Sequence, residues 1–181
     1  MFLFHFLLNV SDLSLINKYF GCKVPAIERE TTSEIMENRL IEVVNRQRKI
    51  KIDLEIWNEF AGQAARAVNE AAGKSLTVAF VSDKKMRELN ALFRGKRETT
   101  DVLSFPSEPD EFEGNENYLG DIVISPEQAE KQAEENDLEF ETEIKQLILH
   151  GILHLCGYDH ETDSGEMNKR ELKLREKLKI V

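Results

Sequence analysis

The chain has 181 residues, 24 of them basic and 34 acidic, for a formal net charge of −10. That length suits one domain with a sizeable core, and the sequence holds no internal repeat, no low-complexity tract and no apolar run long enough to span a bilayer. Two cysteines, Cys22 and Cys156, are too few for a disulfide framework and fit a reducing cytoplasm.

Residues 1–39 open on an apolar stretch, Met1 to Leu8, with no basic leading region and no clear cleavage site, so no secretory signal is expected. The segment is read as an N-terminal extension, disordered or the product of an upstream start, with Met36 as the natural first residue and His5 a bystander. Ile41 to Val44 reads as a strand. Trp57, Phe60, Ala61, Ala64, Ala65, Val68 and Ala71 recur at helical spacing, which predicts an amphipathic helix from about Leu54 to Ala72, with Trp57 as a core anchor and Gly73 as the stop. Leu76 to Val81 is a second strand, and Ser82 or Asp83 caps a helix to about Phe93. Arg94 to Phe105 reads as a loop entering a strand that Pro106 ends, and Ser107 to Asn117 as a flexible acidic loop. Leu119 to Ile124 is another strand. Ser125, Pro126 and Glu127 then open an acidic helix to about Asn136, an N-cap followed by proline at the first helical position. A final amphipathic helix runs from about Gly165 to Leu178. Together these elements make an α+β fold.

Between the last two helices, from about Glu141, lies the stretch with the most chemistry. Leu147 to Cys156 carries no charged residue, and its only strongly polar groups are His150 and His154. The run reads as a buried helix that Gly157 ends in a left-handed conformation. Residues four apart stack on one helix face, and the turn after Gly157 can bring His160 to the same side. Three of the four histidines of the chain thus fall within eleven residues. Buried imidazoles need partners. Ordinary hydrogen bonding accounts for a lone one, but three together fit a divalent metal with an open fourth position better. Cys156 lies about 200° round the helix from His154, at ~100° per residue, and reads as core. The spacing His-x3-His-x2-Gly-x2-His is that of metzincin peptidases, except that their general-base glutamate follows the first histidine, and here that residue is Gly151.

His150-Gly-Ile-Leu-His154-Leu-Cys-Gly-Tyr-Asp-His160 closely resembles the H-G-x-L-H-L-x-G-Y-D-H signature of the YbeY family, metal-dependent endoribonucleases of rRNA maturation. Phe93 to Lys96, Thr100 to Pro106 and Leu119 to Ile124 resemble further blocks of that family in the same order, so the resemblance covers residues 40–181 as one endoribonuclease domain. It implies a small mixed β-sheet with surrounding helices, zincin-like around a three-histidine site. His150, His154 and His160 would hold one divalent metal per chain. Zinc fits three imidazoles best, and nickel or another first-row ion fits too. By sequence alone Arg94 is one arginine in a basic loop. The resemblance makes it, with His150, catalytic, because a guanidinium grips phosphate bidentately; Lys96 and Arg97 become general phosphate contacts.

Asp159 and Asp121 are candidates to orient a ligand histidine, although turn or strand-end roles account for them equally well. Thr99, Thr100 and Ser104 could touch a substrate backbone, Asp101 is assigned nothing, and Gly151 is read as open space beside the metal for a bulky phosphodiester. Phosphate contacts dominate nucleic-acid affinity, so the acidic balance is awkward. Its distribution is uneven, however. Arg46, Arg48, Lys49 and Lys51 form one basic cluster, and Lys84, Lys85, Arg87, Arg94, Lys96 and Arg97 form another, while eight acidic residues and one lysine fall between Glu127 and Glu143. Solvated faces of opposite sign explain this as readily as a basic strip over the metal.

The expected function is a single-strand-specific endoribonuclease in which a metal-activated water attacks a phosphodiester. It would act at the 16S 3′ end and in ribosome quality control, on single-stranded or structured rRNA. Its partners would be the small ribosomal subunit and its proteins, with no membrane, and nothing in the sequence sets an oligomeric state. The alternatives are a ribosome assembly factor with a mainly structural metal and a metallopeptidase-like hydrolase, the latter disfavoured by Gly151.

Overall fold

Four strands, β1 (Ile41–Asn45), β2 (Ser75–Phe80), β3 (Val102–Pro106) and β4 (Tyr118–Ile124), form one sheet in the order β1-β2-β4-β3. The computed structural model describes residues 40–107 and 117–180. The extension expected over 1–39, and most of the loop expected over 107–117, lie outside the described residues. β1, β2 and β4 run parallel and β3 runs antiparallel to β4. The helices are α1 (Leu54–Ala67), α2 (Asp83–Arg94), α3 (Pro126–Asn136), α4 (Phe140–Leu155) and α5 (Glu166–Leu178). This is the α+β architecture that the predicted elements make, with the mixed sheet that the resemblance implies.

The central strands β2 and β4 are near-continuous apolar runs because both of their faces are covered. Alternation along each strand divides their side chains between two cores. Val78, Phe80, Ile122 and Ile124 join Trp57 and Phe60 of α1, Ile148 and Ile152 of α4 and Met167 and Leu174 of α5. Ala79, Val81 and Val123 pack on the opposite face with Met86 and Leu89 of α2 and with Leu103 and Phe105 of β3. Pro106 ends the edge strand β3, where its missing donor is harmless. Opposite it stands Gly120 at φ +132, where a Cβ would come within 2.1 Å of the Phe105 carbonyl oxygen. Only glycine fits there.

Asp53 caps α1, its carboxylate accepting from the Glu55 amide at 3.1 Å, and Trp57 anchors the core 6.3 Å from the Phe80 ring. α1 stops before the predicted Ala72. Val68 takes an extended conformation (φ −93, ψ 107), and the next residues turn back so that the Ala71 amide donates to the Val68 carbonyl at 2.9 Å. Val68 and Ala71 are both fully buried, so the apolar pattern continues past the helix although the regular helix is broken at Val68. α2 runs one residue further than predicted, through Arg94, and Gly95 caps it at φ 68. Ser125 and Pro126 open α3 as predicted. Among the described residues no helix is long and apolar enough to cross a membrane.

Candidate metal centre

α4 is buried on nearly every side from Leu147 to Leu155, because its apolar residues face α1, α5 and the sheet at once. One turn apart on it, His150 and His154 bring their Nε2 atoms to 3.1 Å. Past the helix end Gly157 adopts φ 89, and the Tyr158 amide donates back to the Leu153 carbonyl at 3.1 Å. That reversal carries His160 to the same place: its ring centre lies 5.4 Å from those of both other histidines. The three offer one ligand atom each, all within 4.8 Å of one another.

The outward ring nitrogens of the two helical histidines are committed. His154 Nδ1 lies 2.9 Å from the Tyr158 carbonyl oxygen, and a carbonyl can only accept, so this nitrogen carries the proton. His150 Nδ1 donates to Glu171 Oε2 at 2.8 Å. Both Nε2 lone pairs therefore point at each other in buried space, with His150 only 7% and His154 only 1% exposed. A cation between them satisfies this arrangement. Tetrahedral ligation at ordinary zinc–nitrogen lengths needs nitrogens about 3.3 Å apart, close to the 3.1 Å present here. Burial, with repulsion from His150 and His160, pushes His154 down to about 4, so it is neutral and able to ligate at neutral pH. The donor set fits a divalent metal. Cys156 is not part of it; burial pushes its thiol up to about 11, and it packs against the main core as predicted.

Glu171 is the residue that sequence reasoning missed. Burial alone would raise its carboxyl, but the hydrogen bond and charge of His150, with Arg175 behind them, hold it below the usual range. Arg175 donates to its other oxygen through Nε at 3.0 Å and through Nη2. A signal did exist: Glu171 shares the buried face of α5 with Met167 and Leu174, at intervals of four and three. The two aspartates considered for this role do other work. Asp159 accepts from the Glu161 amide and the Thr162 hydroxyl of its own turn. Asp121 accepts from the Tyr118 hydroxyl within the sheet.

Arg94 is the last residue of α2, not part of a loop, and it is half-buried. Burial lowers its pKa; against this, the leading carboxylate that supports its charge is Glu161, next to His160. The structure thus brings Arg94 towards the turn that carries the third histidine. Asp101 is buried at the start of β3, its carboxyl raised by burial despite hydrogen bonds from Thr100 and the Val102 amide. Ser104 is buried within β3, and Thr99 and Thr100 are half-buried. Gly151 is not open space beside the metal. A Cβ there would stand 2.8 to 3.0 Å from three side-chain atoms of Ile122, so the glycine is where α4 presses against the sheet.

A mixed four-stranded sheet carrying three convergent histidines on a buried helix and its following turn defines the class: an α+β protein with a candidate histidine metal centre. A family model described as Endoribonuclease YbeY matches residues 42–179. The Endoribonuclease YbeY of Thermodesulfovibrio yellowstonii is 38% identical over 155 residues, covering 77% of this chain and 97% of that one. That of Aquifex aeolicus is 41% identical over 143 residues, covering 78% and 91%. The solution structure of TM1509 from Thermotoga maritima is similar with a TM-score of 0.54 at 32% identity, over 76% of this chain and 88% of that one. The chain belongs to the YbeY endoribonuclease family.

Proposed function

We propose that this chain cuts single-stranded RNA by metal-dependent hydrolysis of a phosphodiester. Residues 40–181 form its catalytic domain, His150, His154 and His160 are the metal ligands, and Arg94 and His150 are the catalytic residues. The observation that carries this reading is the convergence of three imidazoles of which two already have their other nitrogen committed outward. Zinc suits that donor set, and when bound it supplies a polarised phosphoryl oxygen and an activated water. Among the described residues no fourth side chain joins the three histidines. An open position of that kind favours a catalytic site over a closed structural one.

The chain itself adds positive charge for the phosphate. Arg94 can grip a phosphoryl group bidentately, and Lys84 and Arg87 precede it at intervals of ten and seven residues, on one side of α2. This ridge gives an RNA backbone a basic path to the histidines. Of the other basic cluster, Lys49 is already paired with Glu127. An endoribonuclease acts on RNA; within this proposal the substrate is ribosomal RNA, with maturation of the 16S 3′ end and ribosome quality control in the cytoplasm as the setting. The small ribosomal subunit and its proteins are then the partners.

His154→Ala is expected to bring bound metal well below one equivalent per chain. Chelation is expected to abolish cleavage of a structured rRNA fragment while association with the small subunit persists. Protein that is folded and cleaves RNA without any divalent metal would defeat this reading. An assembly factor with a structural metal would instead bind the subunit and cleave nothing in either state.

A further inference from the structure

The helix α5 contributes no histidine, yet hydrogen bonds link it to His150 directly, to His154 through Tyr158 and to the turn that carries His160. Its Glu171, 8% exposed at the side chain, accepts from His150 Nδ1 at 2.8 Å. Its neighbour Arg170 donates to Glu70 Oε2 at 3.3 Å, Glu70 Oε1 accepts from the Tyr158 hydroxyl at 2.9 Å, and the Tyr158 carbonyl holds His154 Nδ1 at 2.9 Å. The turn bearing His160 ends in Asp163, whose carboxylate caps α5 by accepting from the Gly165 and Met167 amides, each at 2.7 Å. Met167 and Leu174, on the same buried face as Glu171, fix α5 in the core.

We propose that Glu171 is a positioning residue of the metal centre and that α5 is the element that presets it, so that metal affinity and the docking of α5 are coupled. The proposal rests on the reading of the three histidines as metal ligands. A carboxylate on the far nitrogen of a ligand imidazole fixes its tautomer and ring plane and raises its basicity. Glu171 is suited to this because it is buried and held in turn by Arg175, so neither its position nor its charge is free to drift. The second support, Tyr158–Glu70–Arg170, lies at the surface, where such links contribute little. The two routes are therefore unequal. Coupling is also reciprocal: if α5 presets the ligands, metal must tighten α5 by the same factor.

The test measures zinc affinity of the full chain by competition with a chromophoric chelator, for wild type, Glu171→Gln, Glu171→Ala and Tyr158→Phe. Thermal midpoints of the metal-free proteins and ligand-field spectra of the cobalt-loaded ones accompany it. Glu171→Gln, which keeps an acceptor but loses the charge, is expected to weaken zinc about 10- to 100-fold, and Glu171→Ala more. Both should shift the cobalt bands, whereas Tyr158→Phe should change affinity by only a few-fold. Amide exchange across residues 166–178 is expected to slow when zinc is added. If both Glu171 variants bind zinc as tightly as wild type with unshifted bands, the proposal is overturned, even if their metal-free midpoints fall. Wild-type protein that takes up no zinc would overturn both this proposal and the metal reading beneath it.

Discussion

Arg94 has a position that sequence reasoning could only partly anticipate. It closes α2, Gly95 releases the chain behind it at φ 68, and the charge of Glu161 reaches it from the turn that carries His160. Arg94 is half-buried at a helix end and belongs to neither hydrophobic core, so Arg94→Ala should leave fold and metal content intact. Removing one donor to a developing phosphate charge typically costs roughly 3–4 kcal/mol, or 100- to 1,000-fold in rate. Arg94→Lys should recover little, because an ammonium lacks the bidentate fork. Single-turnover cleavage of one labelled RNA at fixed salt reads both variants, and a near-wild-type rate for Arg94→Ala would make it a surface charge. Glu143 poses a different question at the same scale. Burial, with the charge of Asp101, pushes its carboxyl from 4.5 up to about 7, while Arg175 pulls the other way. A carboxyl raised by folding favours the protonated form. Its contribution to stability is full below about pH 4.5 and is lost as pH rises through about 7. Glu143→Gln should therefore raise the stability of the metal-free protein at pH 8 by on the order of 2 kcal/mol and hardly change it near pH 4.5. Urea midpoints across that range check it; an equal shift at both ends would remove the titration from the account.

At the scale of elements, α4 shows both what the sequence discloses and what it withholds. Its apolar run, the four-residue step from His150 to His154 and the stop at Gly157 are local features, and each stands where periodicity and turn chemistry put it. Gly151 was legible as the absence of a peptidase base but not as a packing contact, because Ile122 lies on a distant strand. Gly151→Ala should destabilise the fold by about 1–3 kcal/mol from overpacking, reduced by the roughly 1 kcal/mol that alanine gains over glycine within a helix. Ile122 is fully buried and has nowhere to retreat, so adding Ile122→Val should recover part of the loss. Denaturant midpoints of the two single variants and the double variant measure that coupling; simple additivity would mean that α4 shifts freely off the sheet. The end of α1 was misplaced for a related reason. Val68 and Ala71 continue the apolar pattern because they are buried, and burial does not require the helix to continue. Glu171 was missed because the pairing of a charged residue with a buried histidine twenty-one positions away is a tertiary fact.

For the whole molecule, the net charge of −10 has to coexist with an RNA substrate. The fold pairs the two signs locally, Lys49 with Glu127 and Lys131 with Asp83. Acidic α3 is also held by its own capping residue Ser125, and Lys84, Arg87 and Arg94 recur along α2. The central proposal is that RNA is cut at the three-histidine centre. The most direct measurement is a zinc titration of chelator-stripped protein, with single-turnover cleavage of a labelled single-stranded rRNA fragment read at each point. The rate should start at background, climb in proportion to added zinc and level off at one equivalent per chain, with His154→Ala showing no such climb. Stripped protein that already cuts at the loaded rate, or a His154→Ala titration that matches wild type, would contradict it.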